Sequence, residues 1–103
     1  MKLLKARARA EEAVHANRTT NEFLAQAAGL KALGEWAAKE MMGEGAPGVA
    51  AYAEALVRSK VAGSDAFKSV CDDLRLAGND QPTRAIRTRF EQYLDQARSA
   101  NTA

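Results

Sequence analysis

The sequence has 103 residues, enough for one small domain, and its 15 Lys and Arg against 13 Asp and Glu leave a net charge of +2, too balanced for a strong polyanion-binding field. The 23 alanines outnumber the 11 Val, Ile and Thr residues, which favours helices over strands. A single Cys excludes an internal disulfide, and with a single His it excludes the usual zinc ligand sets. No apolar run approaches the roughly 20 residues of a membrane span, so we expect a soluble, cytoplasmic all-α protein without metal or cofactor.

The first 18 residues differ from the rest of the chain. They are rich in Ala, Arg and Lys, and their sizeable apolar side chains are limited to Leu3, Leu4 and Val14. The segment is marginal in length for an isolated helix, which needs roughly 12–15 residues even when it is rich in Ala. We therefore expect residues 1–18 to form a basic arm, mobile or helical, that is either frayed in solvent or ordered on a partner.

A capping box marks the predicted start of the first helix. Thr19 is followed three residues later by Glu22, a pattern that places a helix N-terminus just before Phe23. The apolar residues that follow recur at helical spacing: Phe23, Ala27, Leu30, Leu33, Ala37 and Met41, with Trp36 beside them. The run of Gly and Pro between Gly43 and Gly48 then predicts the end of this helix.

Three further helices follow, each with one apolar side and each separated from the next by a turn signal. The second carries Val49, Tyr52, Ala53, Leu56, Val57 and Val61; the third, about 65–77, carries Phe67, Val70, Cys71, Leu74 and Ala77; the fourth, about 82–99, carries Ile86, Phe90, Tyr93, Leu94 and Ala97. Four such helices joined by short loops bury their apolar sides as a compact bundle. The sequence therefore predicts a four-helix bundle over 19–103.

The sequence contains no motif that supports catalysis or nucleotide binding. The segment Gly43 to Gly48 matches G-x-G-x-x-G literally, but it follows a helix and contains Pro47, whereas the dinucleotide fingerprint follows a strand. Cys71 lies between Val70 and Leu74 on the apolar side of a helix, a position that predicts a buried, unreactive thiol. The adjacent carboxylates Asp72 and Asp73 diverge by about 100° on a helix and indicate a solvated face.

The last helix is rich in arginine, a composition that nucleic-acid-binding helices share. Its outer face mixes cations with acids, in the order Arg84, Arg87, Glu91, Asp95 and Arg98. A face that tracks phosphates does not normally place acids among its cations. We therefore expect a salt-bridged solvent face that includes an Arg87–Glu91 pair, and nucleic-acid binding is the less favoured alternative.

Several blocks, in order, match a known family. The segment Leu33 to Ala38 reads L-G-E-W-A-A, with Phe23 thirteen residues before Trp36. It resembles the L-G-L-W-A-A motif of the zeta subunits of alphaproteobacterial F-type ATP synthases. The positions that resemble that family's core are Phe23, Leu33, Gly34, Trp36, Tyr52, Phe67, Val70, Leu74, Ile86, Phe90 and Leu94.

The resemblance implies a regulatory protein that is not an enzyme. Members look like four-helix proteins whose N-terminal segment enters the catalytic sector of the synthase at an interface between its α and β subunits. There the arm becomes helical and blocks rotation in the hydrolysis direction, so that it inhibits ATP hydrolysis, while the bundle docks outside. We expect a monomer when free, without membrane insertion.

The arm is where the chain departs from the family pattern, which reads roughly R-E-x-A-F-E-x-K-F-A-H-D. Its two Phe positions hold Glu11 and His15. The candidate partner-binding residues are the basic and family-matched positions Lys5, Arg7, Arg9, Ala10, Glu12 and Ala16. Apolar anchors supply most of the affinity of a helix in a groove, and the arm lacks the family's two Phe anchors. An alternative therefore stays open: the chain is a diverged zeta-like helical interaction protein that has lost the inhibitory role.

Overall fold

Four α-helices make up the described chain. The computed structural model describes the backbone of residues 2–101 and the side chains of residues 20–100. In chain order the helices are α1 (Lys2–Met42), α2 (Gly48–Val61), α3 (Ala66–Leu76) and α4 (Thr83–Asn101). The described backbone contains no strand, so the predicted all-α, four-helix class is confirmed.

Helix α1 does not begin at the predicted capping box. It is continuous from Lys2 to Met42, so Thr19 lies inside the helix and the predicted start is wrong. The strong helix formers that precede Thr19 allow the helix to propagate through it, because extending a helix costs far less than nucleating one. The division into an arm (1–18) and a bundle (19–103) stays a prediction.

The Gly-rich segment after α1 is a turn. The Gly43 amide donates to the Lys39 carbonyl oxygen at 2.9 Å, which closes the helix. Gly43 and Gly45 have φ values of +97° and +82°, in the left-handed region that glycine adopts without strain. This segment therefore reverses the chain between two helices, and its match to the dinucleotide fingerprint is a coincidence of turn chemistry.

Helix α1 is the central element of the bundle. It packs antiparallel to α2, since Gly34 lies against Ala53 and Met42 against Gly48. It also packs antiparallel to α4, since Gly29 lies against Leu94 and Glu22 against Arg98. The buried core joins residues from all four helices: Leu30, Leu33, Ala37, Leu56, Ala66, Val70, Cys71, Leu74 and Ile86. Trp36, Tyr52, Phe67 and Phe90 are partly buried and pack against this core.

Gly34 allows α1 and α2 to approach closely. A Cβ atom at this position would lie 2.9 Å from the Ala53 Cα atom, closer than Cβ atoms come to any neighbour. The space is limited by backbone, so a larger residue would have to push the two helices apart. The glycine of the L-G-E-W-A-A segment is therefore a packing residue.

Three predicted core positions are wrong. Phe23 is 55% exposed and Val61 is 65% exposed, and Ala77 is exposed beyond the end of α3. Each lies at or near a helix end, where the periodic apolar pattern continues but the packing partner does not.

The third helix also begins one residue later than predicted, because Asp65 is its N-cap and accepts a hydrogen bond from the Lys68 amide at 3.1 Å.

Candidate partner-binding site

The candidate arm residues precede the described side chains. Lys5, Arg7, Arg9, Ala10, Glu12 and Ala16 lie outside residues 20–100, for which side chains are described, and the site can be built only from the point where α1 joins the bundle. That point is the turn of α1 around Glu22, opposite the C-terminal part of α4.

An ion pair fastens α4 to α1 at this turn. The Arg98 guanidinium donates from Nη2 to Glu22 Oε1 at 2.7 Å and from Nε to Glu22 Oε2 at 3.2 Å. Arg98 also lies 3.7 Å from Asp95, the neighbour expected on the outer face of α4. Hydrogen bonds from Arg98 and from Gln26 hold the pKa of the Glu22 carboxyl below its usual value. Glu22 therefore ties two helices together instead of capping one.

Large apolar side chains are exposed at the same end of the bundle. Phe23 and Leu24 are 55% and 50% exposed, and Val61 at the end of α2 is 65% exposed. By contrast, Leu30, seven residues after Phe23 and on the same face of α1, is buried in the core. The apolar face of α1 therefore extends past the part of the helix that α2 covers.

A shallow cleft of about 250 Å³ lies beside this end, between α1, the α2–α3 turn and α4. Gln26 and Leu30 of α1, Lys60 of α2 and the rings of Phe67 and Phe90 line it. Asp65, at its rim, is occupied in capping α3. Residues 20–100 contain no cluster of His, Cys, Asp or Glu able to hold a metal ion.

Two arginines of α4 lie over aromatic rings. The Arg87 guanidinium carbon is 4.1 Å from the centre of the Phe67 ring, and that of Arg89 is 4.5 Å from the Trp36 ring. The predicted Arg87–Glu91 ion pair is not formed among the described side chains; the Arg87 guanidinium instead lies over the Phe67 ring. These two cations serve packing between helices, which weakens the case for a phosphate-binding face.

The remaining polar groups of interest are structural. The Tyr52 hydroxyl donates to Asp73 Oδ2 at 2.7 Å and ties α2 to α3, so Asp73 is not the freely solvated carboxylate that the sequence predicted. Burial, followed by the Asp73 hydrogen bond, raises the pKa of Tyr52 well above its usual value. Cys71 is buried as predicted, and its burial raises the pKa of the thiol, which suppresses the reactive thiolate.

Comparison with known proteins indicates the family to which this chain is similar. The family model described as ATPase inhibitor subunit zeta matches residues 1–100. The match begins at the first residue and therefore includes the basic segment that precedes the bundle. No curated protein and no solved structure matches the chain. Among the described residues, none of the helices combines the length and the apolar character needed to cross a membrane.

Proposed function

Since the chain belongs to the ATPase inhibitor subunit zeta family, we propose that it binds the catalytic sector of an F-type ATP synthase and inhibits ATP hydrolysis with its N-terminal arm. The arm, residues 1–18, lies at an interface between an α and a β subunit and obstructs rotation in the hydrolysis direction. The bundle, residues 19–103, stays outside and holds the arm in place. The proposed role is mechanical and needs no bond-making chemistry from this chain.

The continuity of α1 is the observation that carries this proposal. One helix, Lys2–Met42, includes residues 2–18 of the arm and the segment that forms the centre of the bundle. A helix rises about 1.5 Å per residue, so the part of α1 before Thr20 extends the bundle by roughly 27 Å. A partner that binds the arm is therefore connected to the bundle through one continuous helix.

The charge of the arm indicates the kind of surface that receives it. Lys2, Lys5, Arg7 and Arg9 are the only charged residues among the first nine. They favour a groove lined by carboxylates, and such an interaction weakens as salt screens it. Ala10 and Ala16 supply small side chains at which a helix can approach a neighbouring surface closely.

A second candidate function rests on the same arm. It contains no Phe, Tyr or Trp, because Glu11 and His15 occupy the positions where the family pattern has Phe. Loss of two aromatic anchors weakens a helix in its groove. This favours a zeta-like interaction protein with another partner as the alternative, and the identity of the captured protein separates the two functions.

Site-specific cross-linking tests the proposal. A photoreactive amino acid at Ala10, in the full chain, is mixed with a cognate catalytic sector freed of its own zeta subunit. We expect cross-links to the α and β subunits, and weaker cross-linking at high salt. The control carries the same group at Leu76, which is 86% exposed at the end of α3. Absence of any cross-link to an α or β subunit would contradict the proposal, and capture of other proteins when the same labelled chain is placed in a cell lysate would favour the alternative.

A further inference from the structure

The apolar face of α1 continues beyond the end of α2 into the turn that joins the arm. Phe23 precedes Leu30 by seven residues, or about two helical turns, and therefore lies on the same face. Leu30 is 1% exposed, whereas Phe23 is 55% exposed. Leu24, one position further around the helix, is 50% exposed. An isolated exposed Leu is ordinary, but two large apolar side chains exposed on one helical turn, about 100° apart, leave much of that turn's surface apolar.

The lengths of the neighbouring helices explain this exposure. Gly34 lies against Ala53 in the antiparallel α1–α2 pair, and counting from this contact places Val61, the last residue of α2, opposite Gln26. Lys60 and Gln26 accordingly line the same cleft. Helix α2 thus ends before it reaches the level of Phe23, and Val61 is itself 65% exposed.

The same turn carries little net charge. Glu22, which precedes Phe23, is neutralised by the two-point contact with Arg98. A partner that covers this turn also removes water from Glu22. Removing water from a carboxylate that is already paired with Arg98 costs less free energy than removing it from an unpaired carboxylate. Phe23, Leu24 and Val61 are hereafter called the apolar end surface.

We propose that the apolar end surface is a second contact with the ATP synthase catalytic sector, next to the groove that receives the arm. The inference rests on the proposed function and adds residues outside the arm to the interface. Phe23 lies five residues after Arg18, about 7–8 Å along the same continuous helix. A partner that encloses the arm up to its end is within reach of this turn.

The distribution of apolar residues supports the same occupant. Within the arm, Leu3, Leu4 and Val14 are the sizeable apolar residues, and Phe23 is the first aromatic residue of the chain. Interfaces obtain most of their affinity from a few anchors, often aromatic, that become desolvated in a pocket. The basic arm steers the chain to its partner and Phe23 anchors it there.

The test compares variants of the full chain in binding to a catalytic sector freed of its own zeta subunit. The test variant is F23S/L24S. The matched control is L76S, since Leu76 is 86% exposed and is the last residue of α3, away from the apolar end surface. We expect the double variant to bind roughly tenfold more weakly or worse, at low and at high salt alike, because apolar contacts are not screened. The control binds as the unmodified chain does.

A second variant protects the test against a folding defect. V61S changes only a side chain that is 65% exposed, and we expect several-fold weaker binding with an unchanged circular dichroism spectrum and thermal midpoint. Unchanged affinity of both V61S and F23S/L24S would overturn the inference while leaving the proposed function intact. An unmodified chain that does not bind the catalytic sector would overturn both.

A second copy of this chain is the competing occupant. Sedimentation of the unmodified chain alone, over a range of concentrations, decides between the two. We expect a monomer throughout. Self-association that F23S/L24S abolishes would overturn the inference, because the apolar end surface would then belong to a homodimer.

Discussion

Arg98 and Glu22 join the C-terminal part of α4 to α1 through a two-point ion pair, with an Nη2–Oε1 distance of 2.7 Å and an Nε–Oε2 distance of 3.2 Å. The two residues are 76 positions apart in the chain. Because Glu22 immediately precedes the exposed Phe23, the pair fastens the bundle to α1 at the turn where α1 leaves it.

This ion pair makes stability depend on pH in the acid range. The folded-state pKa of Glu22 lies below the ordinary value of 4.5, so the pair's stabilisation is fully present above that pH and is lost as the pH falls through the lower folded-state pKa. We expect E22Q to lower the thermal midpoint slightly at neutral pH, since both side chains are about half exposed. The difference between E22Q and the unmodified chain should vanish in strong acid; a constant difference across this range would contradict the assignment.

The close approach at Gly34 predicts an unusual response to a small substitution. Gly34→Ala places a methyl group against the Ala53 backbone, which costs about 1–3 kcal/mol of overpacking, partly offset by about 1 kcal/mol of better helix propensity. We expect a net loss of stability in chemical unfolding.

The matched control for this substitution is Gly29→Ala. Its methyl group would meet the Leu94 side chain, with the Cδ2 atom at 2.7 Å and the Leu94 Cα atom at 3.5 Å. A leucine side chain can rotate away, so we expect a smaller loss or none. Equal destabilisation by the two variants would show that backbone proximity at Ala53 is not the limiting contact.

The hydrogen bond between Tyr52 and Asp73 predicts a change of stability at alkaline pH. Burial and the Asp73 carboxylate raise the folded-state pKa of Tyr52 above its ordinary value of 10.0. The folded chain therefore holds this proton more tightly than the unfolded chain, and the associated stability is present below pH 10.0 and is lost as the pH rises further. Tyr52→Phe should cost about 1 kcal/mol at neutral pH and reduce the alkaline loss. An alkaline profile unchanged by the substitution would exclude Tyr52 as its source.

Cys71 should be unreactive in the folded protein. The side chain is 7% exposed, and burial, with a contribution from the Asp72 charge, raises the pKa of its thiol. We expect slow modification by a disulfide reagent near neutral pH and rapid modification after unfolding in denaturant. Rapid reaction of the folded chain at the rate of a free thiol would contradict the burial of Cys71.

The class of fold and most of the core were predictable because apolar spacing carries that information locally. Leu33, Val70, Leu74 and Ile86 repeat at helical spacing and are buried. Phe23 and Val61 follow the same pattern but are exposed, because periodicity marks a face of a helix and does not tell where its neighbours end. The capping box at Thr19 failed for a related reason: a local start signal does not stop a helix that already runs through it.

The features of the candidate site depend on contacts between distant parts of the chain. The Arg98–Glu22 pair, the position of Arg87 over Phe67 and the Tyr52–Asp73 hydrogen bond each join different helices. None has a sequence signature, since each requires the antiparallel register of the helices to be known first. By contrast, the family was recognisable from short segments such as L-G-E-W-A-A, and the family model matches residues 1–100.

The most direct test of the central claim is the rate of ATP hydrolysis by a cognate ATP synthase depleted of its zeta subunit, titrated with the full chain and with a chain that lacks residues 1–18. A third protein, the full chain with Lys5, Arg7 and Arg9 changed to Glu, retains the length of the arm and reverses its charge. We predict that the full chain lowers the rate, that the shortened chain does not, and that the charge-reversed chain inhibits far less. An unchanged rate at saturating full chain, or equal inhibition by the shortened chain, would contradict the proposed role of the arm.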